Sequence, residues 1–283
     1  MKLLRQISAT RRLVRAWHHR GQTVAVVPTM GNLHDGHISL IAMARRRADR
    51  VVATIFVNPT QFGPGEDYAS YPRTLDEDRR RLRLAGVDAV LVPTVREIYP
   101  YGQQGSVVVS VPLLSKQLCG AFRPGHFDGV TSVVLRLFNA VSPQFAVFGE
   151  KDYQQLVILR KMAADLHLPV RVLGAPTVRE PDGLAMSSRN QYLDSDERAT
   201  APRLHAVLLD CCSRLRAGEK HYSALETSGF RALARAGFTP DYVAIRDAAD
   251  LAEPRAGTRS LRVLAAARLG RARLIDNVGL RLR

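Results

Sequence analysis

The chain has 283 residues, 46% hydrophobic and 24% charged, which is ordinary for a globular protein with room for one large cored domain or two smaller ones. No apolar run approaches the roughly 20 residues of a membrane-spanning helix, and residues 1–20, interrupted by His18, His19 and five arginines, lack the apolar centre of a secretory signal. The net charge of +15 points towards polyanions, yet the basic residues are nearly all arginine and are spread along the chain. No aromatic residues interleave with the short clusters at 45–47 and 79–81 as base stacking requires, so neither a specific nucleic-acid partner nor a membrane is expected. The Arg content, Ser8 and Thr10 resemble a transit peptide, but a strand expected from residue 23 begins too soon for a removable leader. Cys119, Cys211 and Cys212 form no disulfide framework, since two of the three are adjacent, and a reducing cytoplasm is the expected compartment.

Val/Ile-rich runs at 23–30, 51–58, 88–93, 106–111, 145–148 and 169–174 read as strands. They alternate with helical spacing at 37–48, 74–85, 127–140 and 153–166. Several of the runs lack polar alternation, as parallel strands buried on both faces do. Thr74 followed by Glu77 has capping-box spacing and sets the start of the second helix. Beyond a polar loop at 177–190 the pattern changes to two helices, about 195–217 and 222–236, and three short strand-like runs at 241–246, 261–268 and 273–278. The expected architecture is α/β: a doubly wound parallel sheet over 1–176, followed by a smaller C-terminal α+β domain over 177–283.

The most informative junction is PTMGNLHDGH, residues 28–37, between the first strand and the first helix. Open α/β sheets bind nucleotides at such junctions, where a helix N-terminus offers free N–H groups and a positive dipole end to phosphate. His34 and His37 there can steady charge on a triphosphate under attack, and Gly36 lets the backbone come close to a flat ligand. A zinc helix is a poorer reading, because its histidines stand at i, i+4 around a glutamate. By itself the motif leaves a plain turn equally open.

Five further polar clusters follow. In NPTQFG, residues 58–63, Gln61 offers a donor and an acceptor suited to a hydroxy acid, although Asn-Pro and Gly also make an ordinary turn. Asp76, Glu77 and Asp78 could meet Mg²⁺ beside phosphate; a solvated first helical turn explains the first two better. In RPGHFDGV, residues 123–130, Arg123 and His126 are polar groups in an apolar setting. FGEKDYQQ, residues 148–155, places Lys151, one of five lysines, directly after a strand. MSSRN, residues 186–190, has the hydroxyls and guanidinium of a phosphate clamp; a flexible hinge is the plainer reading, but a position at the domain junction favours the clamp.

Together PTMGNLHDGH, FVNPTQFGPGEDYASYPRT, RPGHFDGV, FGEKDYQQL, MSSRNQYL and the C-terminal DYVAIRD and RLIDN resemble the pantoate–β-alanine ligases in content and order, over essentially the whole chain. That family sits among the Rossmann-like HxGH nucleotidyltransferases. The resemblance implies ATP as a substrate with Mg²⁺, and condensation of pantoate with β-alanine through an enzyme-bound pantoyl adenylate, releasing AMP and pyrophosphate. It implies that His34, His37 and Lys151 serve catalysis. Met30, Gly36, Lys151, Asp152, Val178, Met186, Ser187, Ser188 and Arg189 would bind ATP. Gln61, Gln155, Tyr71, Arg123, His126, Val133 and Val134 would bind pantoate or β-alanine, and Asp78 would meet Mg²⁺. It further implies a homodimer and a C-terminal domain that acts as a lid. Two alternatives are another HxGH adenylyltransferase and a basic nucleic-acid-binding protein without turnover.

Overall fold

The computed structural model describes residues 1–282 as two compact units. One comprises Met1–Glu150 with Ile158–Pro176. The other comprises Lys151–Val157 with the chain from Thr177 onward.

The first unit is a six-stranded parallel sheet in the order β1-β4-β3-β2-β5-β6, formed by β1 (Lys2–Leu4), β2 (Val24–Thr29), β3 (Arg50–Ile55), β4 (Ala89–Leu91), β5 (Phe145–Gly149) and β6 (Arg171–Ala175). The central strands are buried on both faces: Val24, Ala25, Val26 and Val27 are fully inaccessible, as are Val52, Ala53, Ala146 and Val147. Each buried valine contributes about 1.5–3 kcal/mol relative to exposure, which is why these runs read as uninterrupted apolar sequence. The chain winds outward from β2 through β3 to β4, then returns to place β5 on the other side of β2. The order therefore reverses between β2 and β5, and ligands of open α/β sheets bind beside the carboxyl ends of strands at such a reversal.

The helices are α1 (Ile7–His18), α2 (Asp35–Arg45), α3 (Leu75–Leu84), α4 (Val95–Ile98), α5 (Cys119–Phe122), α6 (His126–Val141) and α7 (Tyr153–Asp165). Neither β1 nor α1 was expected from the sequence, although Thr10, Val14 and Trp17 form the buried stripe of α1 at helical spacing. Conversely, 106–111 is not a strand. Its backbone is met by side chains of α6 instead: Ser132 accepts from Val109 N, Thr131 donates to Val109 O, and Arg136 donates to Val107 O.

In the second unit, α8 (Ser195–Thr200), α9 (Arg203–Arg216) and α10 (Tyr222–Arg235) precede an antiparallel sheet of β7 (Thr239–Asp247), β8 (Ser260–Leu269) and β9 (Ala272–Arg281). The single helix expected over 195–217 is divided, with Pro202 as the N-cap of α9; proline has no N–H to continue the ladder. Leu204, Leu208, Cys211, Cys212 and Leu215 of α9 share a core with Leu225 and Leu233 of α10 and with Leu261, Val263, Ala265 and Ala267 of β8. Residues 151–157, which the sequence placed with the first domain, go with this unit for visible reasons. Asn277 Nδ2 donates to Lys151 O at 2.9 Å, Tyr153 OH donates to Ala248 O at 2.8 Å, and the Arg262 guanidinium lies 3.6 Å from the centre of the Tyr153 ring. All three cysteines are free and buried, and burial pushes the Cys211 and Cys212 thiols up to about 11. Among the described residues no helix is long and apolar enough to cross a membrane.

Candidate functional site

The loop leaving β2 turns sharply at Gly31, whose φ of +85° suits glycine. A Cβ there would also stand 3.0 Å from Asp78 Oδ2 and 3.1 Å from Ile55. Asp78 lies on α3, is 1% exposed, and holds the loop from beneath. Its Oδ1 accepts from Leu33 N at 2.8 Å, and its Oδ2 accepts from Asn32 N at 3.1 Å and from the Thr74 hydroxyl at 3.2 Å. The loop then enters α2 with His34 as N-cap. The His34 and His37 rings lie 4.1 Å apart, tilted by 46°. His34 N donates to His37 Nδ1 at 3.3 Å, so the neutral His37 ring carries its proton on Nε2. The Ser39 hydroxyl donates to Gly36 O at 2.8 Å.

This arrangement corrects one expectation. Thr74 does not cap α3 with its side chain, because its hydroxyl is spent on Asp78 and the Glu77 carboxylate pairs with Arg80 and Arg81. Those two arginines hold the Glu77 carboxyl down at about 2. Both Asp78 oxygens accept bonds from the loop or from Thr74, so this carboxylate serves the loop backbone. Among the described residues no group of three or more His, Cys, Asp or Glu side chains could hold a metal ion.

The loop leaving β3 carries Gln61, and its amide orientation is forced by a chain of bonds. Asn58, 1% exposed, donates from Nδ2 to the Gly129 carbonyl at 3.1 Å and accepts at Oδ1 from Tyr99 OH at 2.7 Å. A carbonyl can only accept, so Asn58 cannot be flipped. Its Nδ2 therefore donates to Gln61 Oε1 at 3.2 Å, leaving Gln61 Nε2 against the Met30 sulfur at 3.1 Å. A thioether is a weak acceptor, so this amide keeps donor capacity for a ligand. Helix α6 closes on the loop at Gly129, where a Cβ would stand 2.2 Å from Thr60 O. The Gln61 carbonyl accepts from His126 Nδ1 at 2.7 Å and from Arg123 Nη2 at 3.2 Å, while Arg123 forks onto Glu66 at 2.7 and 2.5 Å. Burial alone would raise the Glu66 carboxyl, but the Arg123 bonds and charge outweigh it and hold the group below the usual range. Tyr71, Val133 and Val134 are buried in this unit at 6%, 5% and 4% exposure. Asn58 and Glu66 were not singled out from the sequence; an asparagine directly at a strand's carboxyl end was the available signal for the first.

The second unit gathers a different set. Lys151, Ser187 and Asn190 line one small cavity with Ala185 and Asp276. Met186 N donates to Val178 O at 3.0 Å, and Asn190 Nδ2 donates to Ala185 O at 3.1 Å, so the MSSRN segment is a built turn. The Ser187 hydroxyl accepts from Arg189 N at 3.2 Å and opens a short 3-10 turn at Ser188–Tyr192. Arg179 anchors the segment with a bidentate pair to the buried Asp276, at 2.6 and 2.9 Å. Lys151 Nζ lies 4.0 Å from Asp152. Gln155 is half-buried in this unit.

A six-stranded parallel sheet with a two-histidine turn at its reversal is the arrangement of nucleotide-using α/β enzymes. Residues 2–279 match the family model described as pantoate-beta-alanine ligase. The chain is 51% identical to the pantothenate synthetase of Halorhodospira halophila over the full length of both, and 55% identical to that of Thioalkalivibrio sulfidiphilus over 93% of this chain and 92% of the relative. The solved pantothenate synthetase of Thermus thermophilus superposes with a TM-score of 0.91 at 45% identity, covering 98% of this chain and 99% of that one. The Francisella tularensis pantoate-beta-alanine ligase, solved with beta-gamma ATP and beta-alanine, superposes with a TM-score of 0.81 at 31% identity, covering 98% and 97%. The chain belongs to the pantoate–β-alanine ligase family and joins pantoate to β-alanine with ATP.

Proposed function

We propose that this ligation proceeds through an enzyme-bound pantoyl adenylate. A pantoate carboxylate oxygen attacks the α-phosphorus of ATP, and the bond to pyrophosphate breaks. The β-alanine amine then attacks the acyl carbon, AMP leaves with the bonding electron pair, and the amine gives up its proton. No protein nucleophile is required. The chain supplies charge stabilisation and alignment of two anions. The observation that carries this reading is the adjacent His34–His37 pair at the head of α2, beside the sheet reversal, where imidazole N–H groups and the helix dipole favour negative charge.

In this reading His34 and His37 act at the α-phosphate, and Lys151, Ser187, Ser188 and Arg189 hold phosphates. Met30, Gly36, Asp152, Val178 and Met186 lie along the nucleotide. Gln61 and Gln155 bind pantoate, with Tyr71, Val133 and Val134 around its apolar part. Mg²⁺ arrives as part of MgATP. The cytoplasm fits three reduced cysteines. A homodimer fits the exposed Val107, Val108 and Leu113, at 75%, 67% and 88%, an apolar stretch of the kind that marks protein contacts.

With MgATP, pantoate and β-alanine, the purified protein should release AMP and pyrophosphate, and it should exchange pyrophosphate into ATP only when pantoate is present. The same preparation should sediment as a dimer. Release of ADP and phosphate would sink the adenylate, exchange without pantoate would favour an adenylyltransferase of another specificity, and a monomeric sedimentation coefficient would remove the dimer.

A further inference from the structure

The Gln61 carbonyl is held by two donors from α6 and the turn before it, and those donors are themselves fixed. The Gln61 carbonyl can only accept, so His126 Nδ1 carries the proton in the 2.7 Å contact. Arg123 can only donate, so His126 Nε2, at 2.9 Å from Arg123 Nη1, accepts. The imidazole is thereby locked as the neutral Nδ1–H tautomer. Arg123 is kept in place by its two-pronged bond to Glu66, and the two side chains retain only 14% and 23% of their exposure. Arg123 and His126 thus converge on the main chain of the residue whose side-chain amide has its orientation set by Asn58, with Glu66 behind Arg123.

We propose that Glu66, Arg123 and His126 are positioning residues: they hold the Gln61 carbonyl, and so aim the Gln61 amide at the hydroxy acid, without contributing to nucleotide binding. The proposal rests on the reading that Gln61 binds pantoate. It differs from the sequence expectation that Arg123 and His126 bind the substrate themselves, because each directs donors at protein acceptors: His126 at Gln61 O, and Arg123 at Gln61 O, Glu66 and His126 Nε2. Glu66, which makes no bond to Gln61, belongs to the device through Arg123.

Two replacements of His126 separate positioning from contact. Asparagine places its Nδ2 close to where histidine carries Nδ1–H, so His126→Asn keeps the donor to Gln61 O but presents nothing at the Nε2 position. His126→Leu removes both. In pantoate-dependent pyrophosphate exchange, His126→Leu should raise the pantoate KM about tenfold, the worth of one lost hydrogen bond of about 1.4 kcal/mol. His126→Asn should stay within about threefold of the parent, and neither should shift the ATP KM. An equal rise in both variants would mean that His126 touches substrate or acts through Nε2, and an equal shift in the ATP KM would mean general damage; either overturns the proposal. Should His126→Leu fail to fold, Glu66→Gln weakens the grip on Arg123 and should raise the pantoate KM about threefold with the ATP KM unmoved; an unchanged pantoate KM overturns the proposal. Gln61→Ala is the control for the underlying reading. If that variant leaves the pantoate KM alone, the assignment of Gln61 fails, whereas a raised KM there beside a normal one in His126→Leu means that the brace fails.

Discussion

The loops that leave β2 and β3 are secured in opposite ways. The histidine loop gathers on one carboxylate: Asp78 takes two loop amides and the Thr74 hydroxyl, while the Thr29 hydroxyl accepts from Gly31 N. The Gln61 loop is held by Asn58 from within, by His126 and Arg123 from the α6 side, and by Glu66 behind them. A shared anchor concentrates the consequences of its loss, because the Asn32 and Leu33 N–H groups and the Thr74 hydroxyl lose their Asp78 bonds together. A distributed brace spreads them, because each member removed leaves others in place. The first loop is therefore the more fragile, although it has fewer parts.

The comparison sharpens into effects of graded size. His34→Ala and His37→Ala remove the groups that the anchored loop exists to present. Each should lower the rate of pantoate-dependent exchange about 10²–10³-fold with little change in thermal midpoint; a near-parental rate in either variant would remove that residue from the chemistry. Asp78→Ala should come next, losing about 2–5 kcal/mol of stability for the loss of three bonds at a buried carboxylate and slowing adenylation at least about tenfold. Asp78→Asn should be milder, and Thr74→Val milder still. The Mg²⁺ midpoint should not move in any of the three, and a shift in Asp78→Asn would assign that carboxylate a metal role.

The smallest effect concerns acid. The folded Glu66 carboxyl sits below its ordinary value of 4.5, so its ionised form favours the fold. That contribution is complete above the unfolded value and is lost as pH falls through the folded one. Thermal midpoints measured from pH 6 to pH 3 should therefore fall more steeply below about 4.5 for the parent than for Glu66→Gln. The difference should be small because the pair is partly solvated. Parallel curves would show that the brace adds no stability of its own.

What could be read in advance follows from how each signal is encoded. The parallel strands were legible because burial on both faces leaves a continuous apolar run, and the two-histidine turn was legible because strand, glycine and helix fall in order. Residues 106–111 carry the same kind of run, yet their backbone is met by Ser132, Thr131 and Arg136, and sequence spacing does not say whether a β-rich run finds a ladder partner. The Thr74–Glu77 spacing correctly began α3 at Leu75 while misnaming the bonds, because Asp78 and two arginines outcompeted the cap. At α8 the same device does form: Asp194 accepts from Glu197 N at 2.9 Å and Glu197 accepts from Asp194 N at 3.0 Å. The bonds of Asp78 to Asn32 and Leu33 and of Glu66 to Arg123 were passed over for a common reason. A carboxylate whose partner lies far along the chain looks, in one dimension, like any surface acid.

The burial of the cysteines makes the chain its own reporter of opening. Cys119, 7% exposed, lies in the first unit, and Cys211 and Cys212, at 1% and 0%, lie in the second. With the latter two pushed up to about 11, little thiolate exists at neutral pH. A small alkylating reagent therefore meets a reactive thiol only when the surrounding segment opens. Cleavage at residues between 122 and 203 after timed labelling separates the two populations. The rates then give the opening free energy of each unit separately, in the unmodified protein and under native conditions.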